Sequence, residues 1–420
     1  MPDLLAELEW RGLVHHATPE LHAHLAGGRR TVYCGFDPTA PSLQLGNLMP
    51  VMLLRHFQLA GHRPIALMGG GTGLIGDPSG KPGERPLLSK EQAREHVHRQ
   101  RDQMARLLDF DPGPAQALVL NNAEWLVEQR LVDFLRDIGK HFTVNVMLQK
   151  ESVQARLESG ISYTEFSYML LQAYDFLHLF RNKQCSIQVG GSDQWGNITA
   201  GIDLIRRVEG GDAHGLVGPL VTTASGAKFG KSEAGAIWLD PTLTSPYQFY
   251  QFWINTDDRD VERYLKVFTL LPQDDIKALL KMHHQDASRR QAQKRLAIEV
   301  TQLVHGEQAR YSAVAASAIL FDEFSPREVE PSAFDALAQE IPTVALESPD
   351  GLTLVDAVIQ AGLAKSKSEA RRAIEQGGIY VNQERVKDAA RTLGPADWLR
   401  GGNLLLRKGK KDYGLLRRAR

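Results

Sequence analysis

Between about residues 30 and 220, short apolar runs alternate with stretches whose apolar residues recur every three or four positions. The runs include Thr31–Cys34, Pro64–Met68, Ala117–Leu120 and Ser186–Val189. This alternation argues for an α/β fold built on a parallel sheet, and ligands of such sheets bind at the carboxyl ends of the strands. From 245 to 320 the spacing is helical throughout, most clearly in Val261–Leu271, Asp274–Met282 and Ala287–Val304. Residues 321–350 carry eight acids, one arginine and four prolines, and read as a linker. Residues 351–387 then read helix, turn, helix, hairpin, with a capping box at Ser366 and Glu369 and a stop at Gly377-Gly378. The expected organisation is an α/β domain over 1–240 with an insertion at about 110–185, a helical domain over 241–320, an acidic linker over 321–350 and a small α+β domain over 351–420.

The net charge of −1 conceals an asymmetry. Residues 351–420 hold 15 Lys and Arg against 7 Asp and Glu, whereas the rest of the chain holds 34 against 43. A basic module on an acidic body points to a polyanionic partner. The cluster Lys365, Lys367, Arg371 and Arg372, with an aromatic at Tyr380, suits structured RNA. No apolar run approaches the ~20 residues of a membrane span, and no signal-peptide pattern opens the chain. The two cysteines, Cys34 and Cys185, exclude a disulfide framework and a cysteine-rich zinc site. A reducing cytoplasm is expected. His15, His16, His22 and His24 lack ligand spacing, so no tightly bound metal is expected.

Four stretches carry chemistry. In "GFDPTAPSLQLGNL" (35–48), turn formers follow the first strand and precede a helix expected from Asn47 to Ala60, closed by Gly61. Gly46 leaves the helix start bare, where unpaired N–H groups and the positive dipole end attract an anion, and Gln44 and Asn47 add amide donors. In the second, Gly71, Gly73 and Gly76 match GxGxxG, yet no helix can open in "GDPSGKPGERP". Ile75 and Pro82 exclude a Walker A loop. A glycine-rich loop with Asp77, Lys81 and Arg85 remains, and its cations suit a polyphosphate leaving group. In the third, Tyr168, Gln172 and Asp175 fall at i, i+4 and i+7 on an otherwise apolar helix, and Gln188 and "GGSDQW" follow at a strand end. The fourth is "KFGKS", where Lys228 and Lys231 flank a glycine in a turn-rich segment. Each stretch alone also fits a plainer reading: a capped loop, a solvated loop, an exposed helix face, two surface lysines.

Together and in this order, the segments resemble the bacterial tyrosyl-tRNA synthetases, class I aminoacyl-tRNA synthetases with a C-terminal S4 domain. "YCGFDPTAPSLQLGN", "GDPSGK", "YMLLQAYD", "VGGSDQWGN", "KFGKS" and "KSKSEARRAIEQGGIYVN" carry the resemblance. It implies a Rossmann-like catalytic domain with an inserted dimerisation segment, an α-helical anticodon-binding domain and an S4-like RNA-binding domain. It also implies activation of tyrosine by ATP, with Mg2+, followed by transfer to tRNA(Tyr). By resemblance, Tyr33 and Asp175 bind the substrate phenol, and Asp77, Tyr168 and Gln172 hold its α-ammonium. Gly35, Asp37, Thr39, Gly46, Gln188, Asp193, Gln194 and Lys231 line the adenylate site. Lys81, Arg85, Lys228, Lys231 and Ser232 belong to loops around the pyrophosphate. Gln44 and Asn47 stand where the family's first signature, HxGH, has histidines. A homodimer is implied through the insertion, with Phe142–Leu148 and Gly160–Phe166 as contact segments. The alternatives are a tryptophan-activating relative and an inactive RNA-binding relative.

Overall fold

The computed structural model describes residues 3–78, 88–150, 153–154, 157, 160–226, 229–232, 235–321, 324–347 and 351–419. They form two compact units, Met1–Leu243 with Thr256–Val304, and Thr244–Asn255 with His305–Arg420.

The first unit is built on a sheet of β1 (His16–Ala17), β2 (Thr31–Phe36), β3 (Arg63–Met68), β4 (Leu118–Asn121), β5 (Cys185–Gly191) and β6 (His214–Gly218). Their order is β1-β6-β5-β2-β3-β4. All neighbours are parallel except the short edge strand β1, which runs antiparallel to β6 and had left no alternation to read. Nearly every residue of β3, β5 and β6 is buried, as expected for parallel strands covered on both faces; β7 (Lys231–Ser232) and β8 (Gly235–Ala236) form a separate antiparallel pair. The chain runs outward in both directions from the β5–β2 pair, so a crevice opens at their carboxyl ends. The helix Leu48–Leu59 follows β2, preceded by a single 3-10 turn at Leu45–Asn47. Gly61 takes a positive φ of 88° just past its end, as the expected stop requires. The helix Tyr163–Lys183 buries Met169, Ala173, Phe176 and Leu177 in a core shared with Tyr33, Ile65 and Leu67.

The expected insertion at 110–185 is narrower than the spacing implied. β4 pairs in register with β3 (Ile65 opposite Leu118), and the helix Tyr163–Lys183 belongs to the main core. What lies outside the α/β alternation is about 123–162. Its short helices Leu131–Asp137 and Val144–Leu148 expose Leu131, Val132, Val144 and Val146.

Two boundaries also move. Residues 241–320 are not one helical domain. Asp258–Phe268 and Gln273–Gln285 belong to the first unit, whereas Pro246–Ile254 belongs to the second with Glu307–Leu320. There Phe249 sets its ring edge-on to His305 at 4.7 Å. Helical spacing identifies helices but not their packing partners. The expected linker at 321–350 is folded in part: Pro331–Leu337 is a helix whose Ala333, Phe334 and Leu337 are fully buried, packed with Leu405 and Leu415. β9 (Thr343–Leu346) pairs parallel with β13 (Asp412–Arg418). A seven-residue helix and a four-residue strand among eight acids are too short to show periodicity.

In the second unit, β10 (Ile379–Val381), β11 (Glu384–Val386) and β12 (Asn403–Lys408) complete a sheet in the order β11-β10-β12-β13-β9. The helices Leu354–Gln360 and Lys367–Glu375 bury Leu354, Val358, Ala370 and Ile374 together with Leu404 and Leu406 of that sheet. Half of the expected capping box forms: Glu369 N–H donates to Ser366 Oγ at 3.2 Å, while the Glu369 carboxylate accepts from Lys365 N–H at 2.9 Å instead of closing the box. No helix among the described residues is long and apolar enough to cross a membrane.

Candidate active site

At the carboxyl ends of β2 and β5 lies a cavity of about 290 Å³. Tyr33, Gly35, Asp37, Thr39, Gly46, Asn47, Asp77, Tyr168, Gln172, Asp175, Gln188, Asp193 and Gln194 all line it. The helical stripe therefore points inward as its spacing required: Tyr168, Gln172 and Asp175 reach one cavity from successive turns.

The deep end is organised around Asp175. Asn122 Nδ2 donates to its Oδ2 at 2.8 Å, and Trp125 Nε1 donates to its Oδ1 at 2.7 Å. Burial raises the Asp175 carboxyl to about 7; the Asn122 and Trp125 hydrogen bonds pull it down, and the Asp37 charge pushes it up. Tyr33 is fully buried nearby, and its hydroxyl has no hydrogen-bond partner among the described residues. Burial first, and the Asp175 charge second, hold its phenol well above the ordinary tyrosine range, so it keeps its proton. The side-chain carbonyl oxygen of Gln188, 2% exposed as a residue, is likewise unpaired. A buried hydroxyl and a buried carbonyl without partners are costly in a folded chain, and both face a cavity that a polar ligand can fill.

A second polar network spans the cavity. Tyr168 OH donates to Asp37 Oδ2 at 2.9 Å, and Thr72 Oγ1 donates to Asp37 Oδ1 at 2.8 Å. Gln194 Nε2 donates to Asp77 Oδ2 at 2.7 Å, and Gln172 Nε2 donates to Gln194 Oε1 at 3.2 Å. The lining includes four carboxylates, those of Asp37, Asp77, Asp175 and Asp193, and among the described residues no Lys, Arg or His. Such a chamber favours an ammonium group and requires anionic charge to be met from outside it.

That outside charge is at hand. The 3-10 turn and helix after Gln44 begin at the cavity mouth, where the positive end of the helix dipole lies and a Cβ on Gly46 would meet nothing within 4 Å. Asn47 Oδ1 accepts from Gln44 N–H at 2.9 Å, which leaves the Asn47 amide NH2 as its donor toward the cavity. Gln44 itself does not line the cavity; it makes an antiparallel bridge to Trp238. Leu45 N–H donates to Ile237 O at 3.0 Å, and Ile237 N–H donates to Gly230 O at 2.9 Å. Gly230, at φ 74°, lies so close that a Cβ there would stand 3.1 Å from Leu45 Cβ. The KFGKS turn thus abuts the first signature, although 184 residues separate Gly46 from Gly230. Lys231 is exposed on a two-residue strand paired with Gly235–Ala236, and Ser232 follows it there. Lys81, Arg85 and Lys228 lie outside the described residues.

Thr72, Asn122 and Trp125 were not singled out from sequence. The signal for Asn122 was available, since it stands at the carboxyl end of β4, where the ligands of a parallel sheet gather. In the second unit, Lys365, Lys367, Arg371 and Arg372 are all exposed at the start and along the outer face of the helix Lys367–Glu375. Lys367 Nζ pairs with Asp356 at 3.0 Å.

Residues 26–322 match the family model of tRNA synthetases class I (W and Y). Residues 333–416 match that of the tyrosine–tRNA ligase SYY-like C-terminal domain. The chain is 54% identical to a tyrosine–tRNA ligase of Roseiflexus castenholzii and 52% identical to one of Bacillus caldotenax. Each alignment covers 99% of this chain and 100% of the relative. Among solved structures, a C-terminally truncated mitochondrial tyrosyl-tRNA synthetase of Aspergillus nidulans superposes with a TM-score of 0.70 at 32% identity, over 76% of this chain and 95% of that one. The contact between the two signature segments beside the cavity, the family model over most of the length and relatives half identical from end to end place the sequence: the chain belongs to the tyrosine–tRNA ligase family of class I tRNA synthetases.

Proposed function

We infer that the chain activates L-tyrosine with ATP and passes the tyrosyl group to the 3′ end of tRNA(Tyr). The observation that supports this reading most directly is the unpaired Tyr33 hydroxyl beside Asp175, buried at the end of an acidic chamber. A substrate phenol both donates and accepts, so it satisfies Asp175 and Tyr33 together. Asp77, Tyr168 and Gln172 then hold the α-ammonium, and Gly35, Asp37, Thr39, Gly46, Gln188, Asp193 and Gln194 hold the adenylate. The tyrosine carboxylate oxygen attacks the α-phosphorus of Mg·ATP. The bond to the bridging oxygen breaks, and pyrophosphate leaves with its electrons and its magnesium. In the second step a ribose hydroxyl of the tRNA takes the tyrosyl carbonyl, and AMP departs with the bonding pair.

No side chain becomes covalently attached in either step, so catalysis consists of positioning and charge stabilisation. Because the chamber itself is acidic, Lys81, Arg85, Lys228 and Lys231, with the positive end of the helix that begins beside Gly46, supply what the departing phosphates need. The Asn47 amide, which lines the cavity, donates without carrying charge, whereas Gln44 lies outside the lining. Lys365, Lys367, Arg371 and Arg372 are assigned to tRNA phosphates.

Amino-acid-dependent exchange of labelled pyrophosphate into ATP tests the reading. Tyrosine supports exchange. Phenylalanine does so with a kcat/KM about 100-fold lower or worse, since it leaves the buried Tyr33 hydroxyl unpaired and takes a donor from the buried Asp175 carboxylate, at ~1–3 kcal/mol each. Exchange driven by tryptophan, or by no amino acid, overturns it.

A homodimer completes the proposal. Leu131, Val132 and Tyr163 are more than 70% exposed, and Val144 and Val146 lie on the same insertion; exposed apolar residues in such number mark an interaction surface. In sedimentation the chain runs as a dimer and the Leu131→Asp/Val132→Asp variant as a monomer. A monomeric wild type sinks this part.

A further inference from the structure

The helix Lys90–Leu107 follows the GDPSGK segment and presents His96, Gln100 and Gln103 at i, i+4 and i+7. All three grip the backbone of the loop between β2 and the first-signature helix. His96 Nδ1 donates to Pro38 O at 2.8 Å, and Gln100 Nε2 donates to Ala40 O at 2.9 Å. Gln103 makes two bonds: its Oε1 accepts from Leu43 N–H at 2.9 Å, and its Nε2 donates to Ser42 Oγ at 3.0 Å.

Ser42 passes this grip on. It is 2% exposed. Its hydroxyl donates to Leu43 O at 2.8 Å and also accepts from Asp240 N–H at 3.1 Å. With one proton given and two accepted, the group is fully satisfied. Leu239 N–H donates to Leu43 O at 2.9 Å alongside. Asp240 ends the segment that leaves the KFGKS hairpin. Through Ser42, Gln103 therefore braces the place where the loop carrying Asp37, Thr39 and Asn47 is joined to the segment leading from Lys231 to Asp240, alongside the direct backbone bonds of Leu43 and Leu45, yet it does not line the cavity.

We propose that Gln103 is a positioning residue for adenylate formation, holding the two signature segments in a single register through Ser42. The inference rests on the tyrosine-activation reading above. A helix that merely covered a loop would contribute stability alone. A helix that sets the spacing of the phosphate-facing groups contributes to the rate, because misplacement by about 1 Å costs ~100-fold. Tyrosine, which is held by the far end of the cavity, should bind as before.

The test uses the full chain. Gln103→Met preserves length and removes both hydrogen bonds; Gln103→Glu keeps the acceptor for Leu43 N–H and holds Ser42 with the bond reversed, the serine proton turning from Leu43 O to the carboxylate. The expected result is a kcat for tyrosine-dependent pyrophosphate exchange lowered about 10- to 100-fold in Gln103→Met, with an unchanged tyrosine KM, and recovered to within a few-fold in Gln103→Glu. Should Gln103→Met fail to fold, Ser42→Ala cuts the same link to Asp240 and carries the same expectation. A kcat within twofold of wild type, a tyrosine KM that moves with kcat, or a Gln103→Glu no better than Gln103→Met overturns the proposal. Wild-type exchange is measured alongside. Its absence sinks the tyrosine-activation reading and this inference with it, whereas an active wild type with a fully active Gln103→Met sinks this inference alone.

Discussion

Asp175→Asn lowers kcat/KM for tyrosine about 100-fold, because a hydrogen bond from the substrate phenol to a buried charge contributes ~1.5–3 kcal/mol and every 1.4 kcal/mol is tenfold. The substitution keeps the volume of the side chain and one acceptor, so Asn122 or Trp125 retains a partner while the other loses it. The pH profile provides a second reading of the same group. Its carboxyl is raised to about 7, chiefly by burial. Wild-type kcat/KM for tyrosine therefore falls as the pH drops below about 7, whereas Asp175→Asn gives a flat acid limb. The stability effect has the opposite sense. A carboxyl whose folded pKa stands above the ordinary 3.8 favours the fold most below about pH 4 and loses that contribution as the pH rises through about 7. Relative to Asp175→Asn, tyrosine-free wild type should thus melt lower at pH 8.5 than at pH 5.5. A pH-independent difference in Tm, or a kcat/KM unchanged by the substitution, would remove Asp175 from the role given to it.

Lys231→Ala leaves tyrosine binding intact and lowers kcat for exchange about 10²- to 10³-fold, the usual cost of removing one group aimed at charge that develops only in the transition state. The expectation follows from the charge distribution. The cavity is lined by carboxylates without a basic side chain among the described residues, and Lys231 is held next to the bare helix start by the bonds from Leu45 to Ile237 and from Ile237 to Gly230. The split between the constants carries the test. A tyrosine KM within twofold of wild type and a depressed kcat place the lysine on the phosphates. An unchanged kcat, or a loss confined to tyrosine KM, would show that it serves elsewhere.

What could be read directly from residues was the local geometry. Tyr168, Gln172 and Asp175 share a cavity because a helix repeats every 3.6 residues, whatever surrounds it. The strands after which Gly35 and Gly190 stand were visible because parallel strands buried on both faces are apolar without interruption. The same uniformity hid which face of β2 Tyr33 would take, so its unpaired hydroxyl emerged only from packing. Asn122 and Trp125 went unnoticed for a related reason. Their importance lies in holding Asp175 across 53 and 50 residues of chain, and no spacing rule reaches that far.

Consecutive residues were enough to specify the α/β class, the strand ends that carry the site, the polar stripe and the basic C-terminal surface, because short-range stereochemistry and charge are local properties of the chain. Only the packed chain shows that Gly46 and Gly230 meet, that Gln103 clasps the first-signature loop, that the acidic 321–350 stretch contributes a helix and a strand, and that Tyr33 is left needing a partner. These depend on contacts between distant segments, which the packing of the whole chain selects and no local pattern encodes.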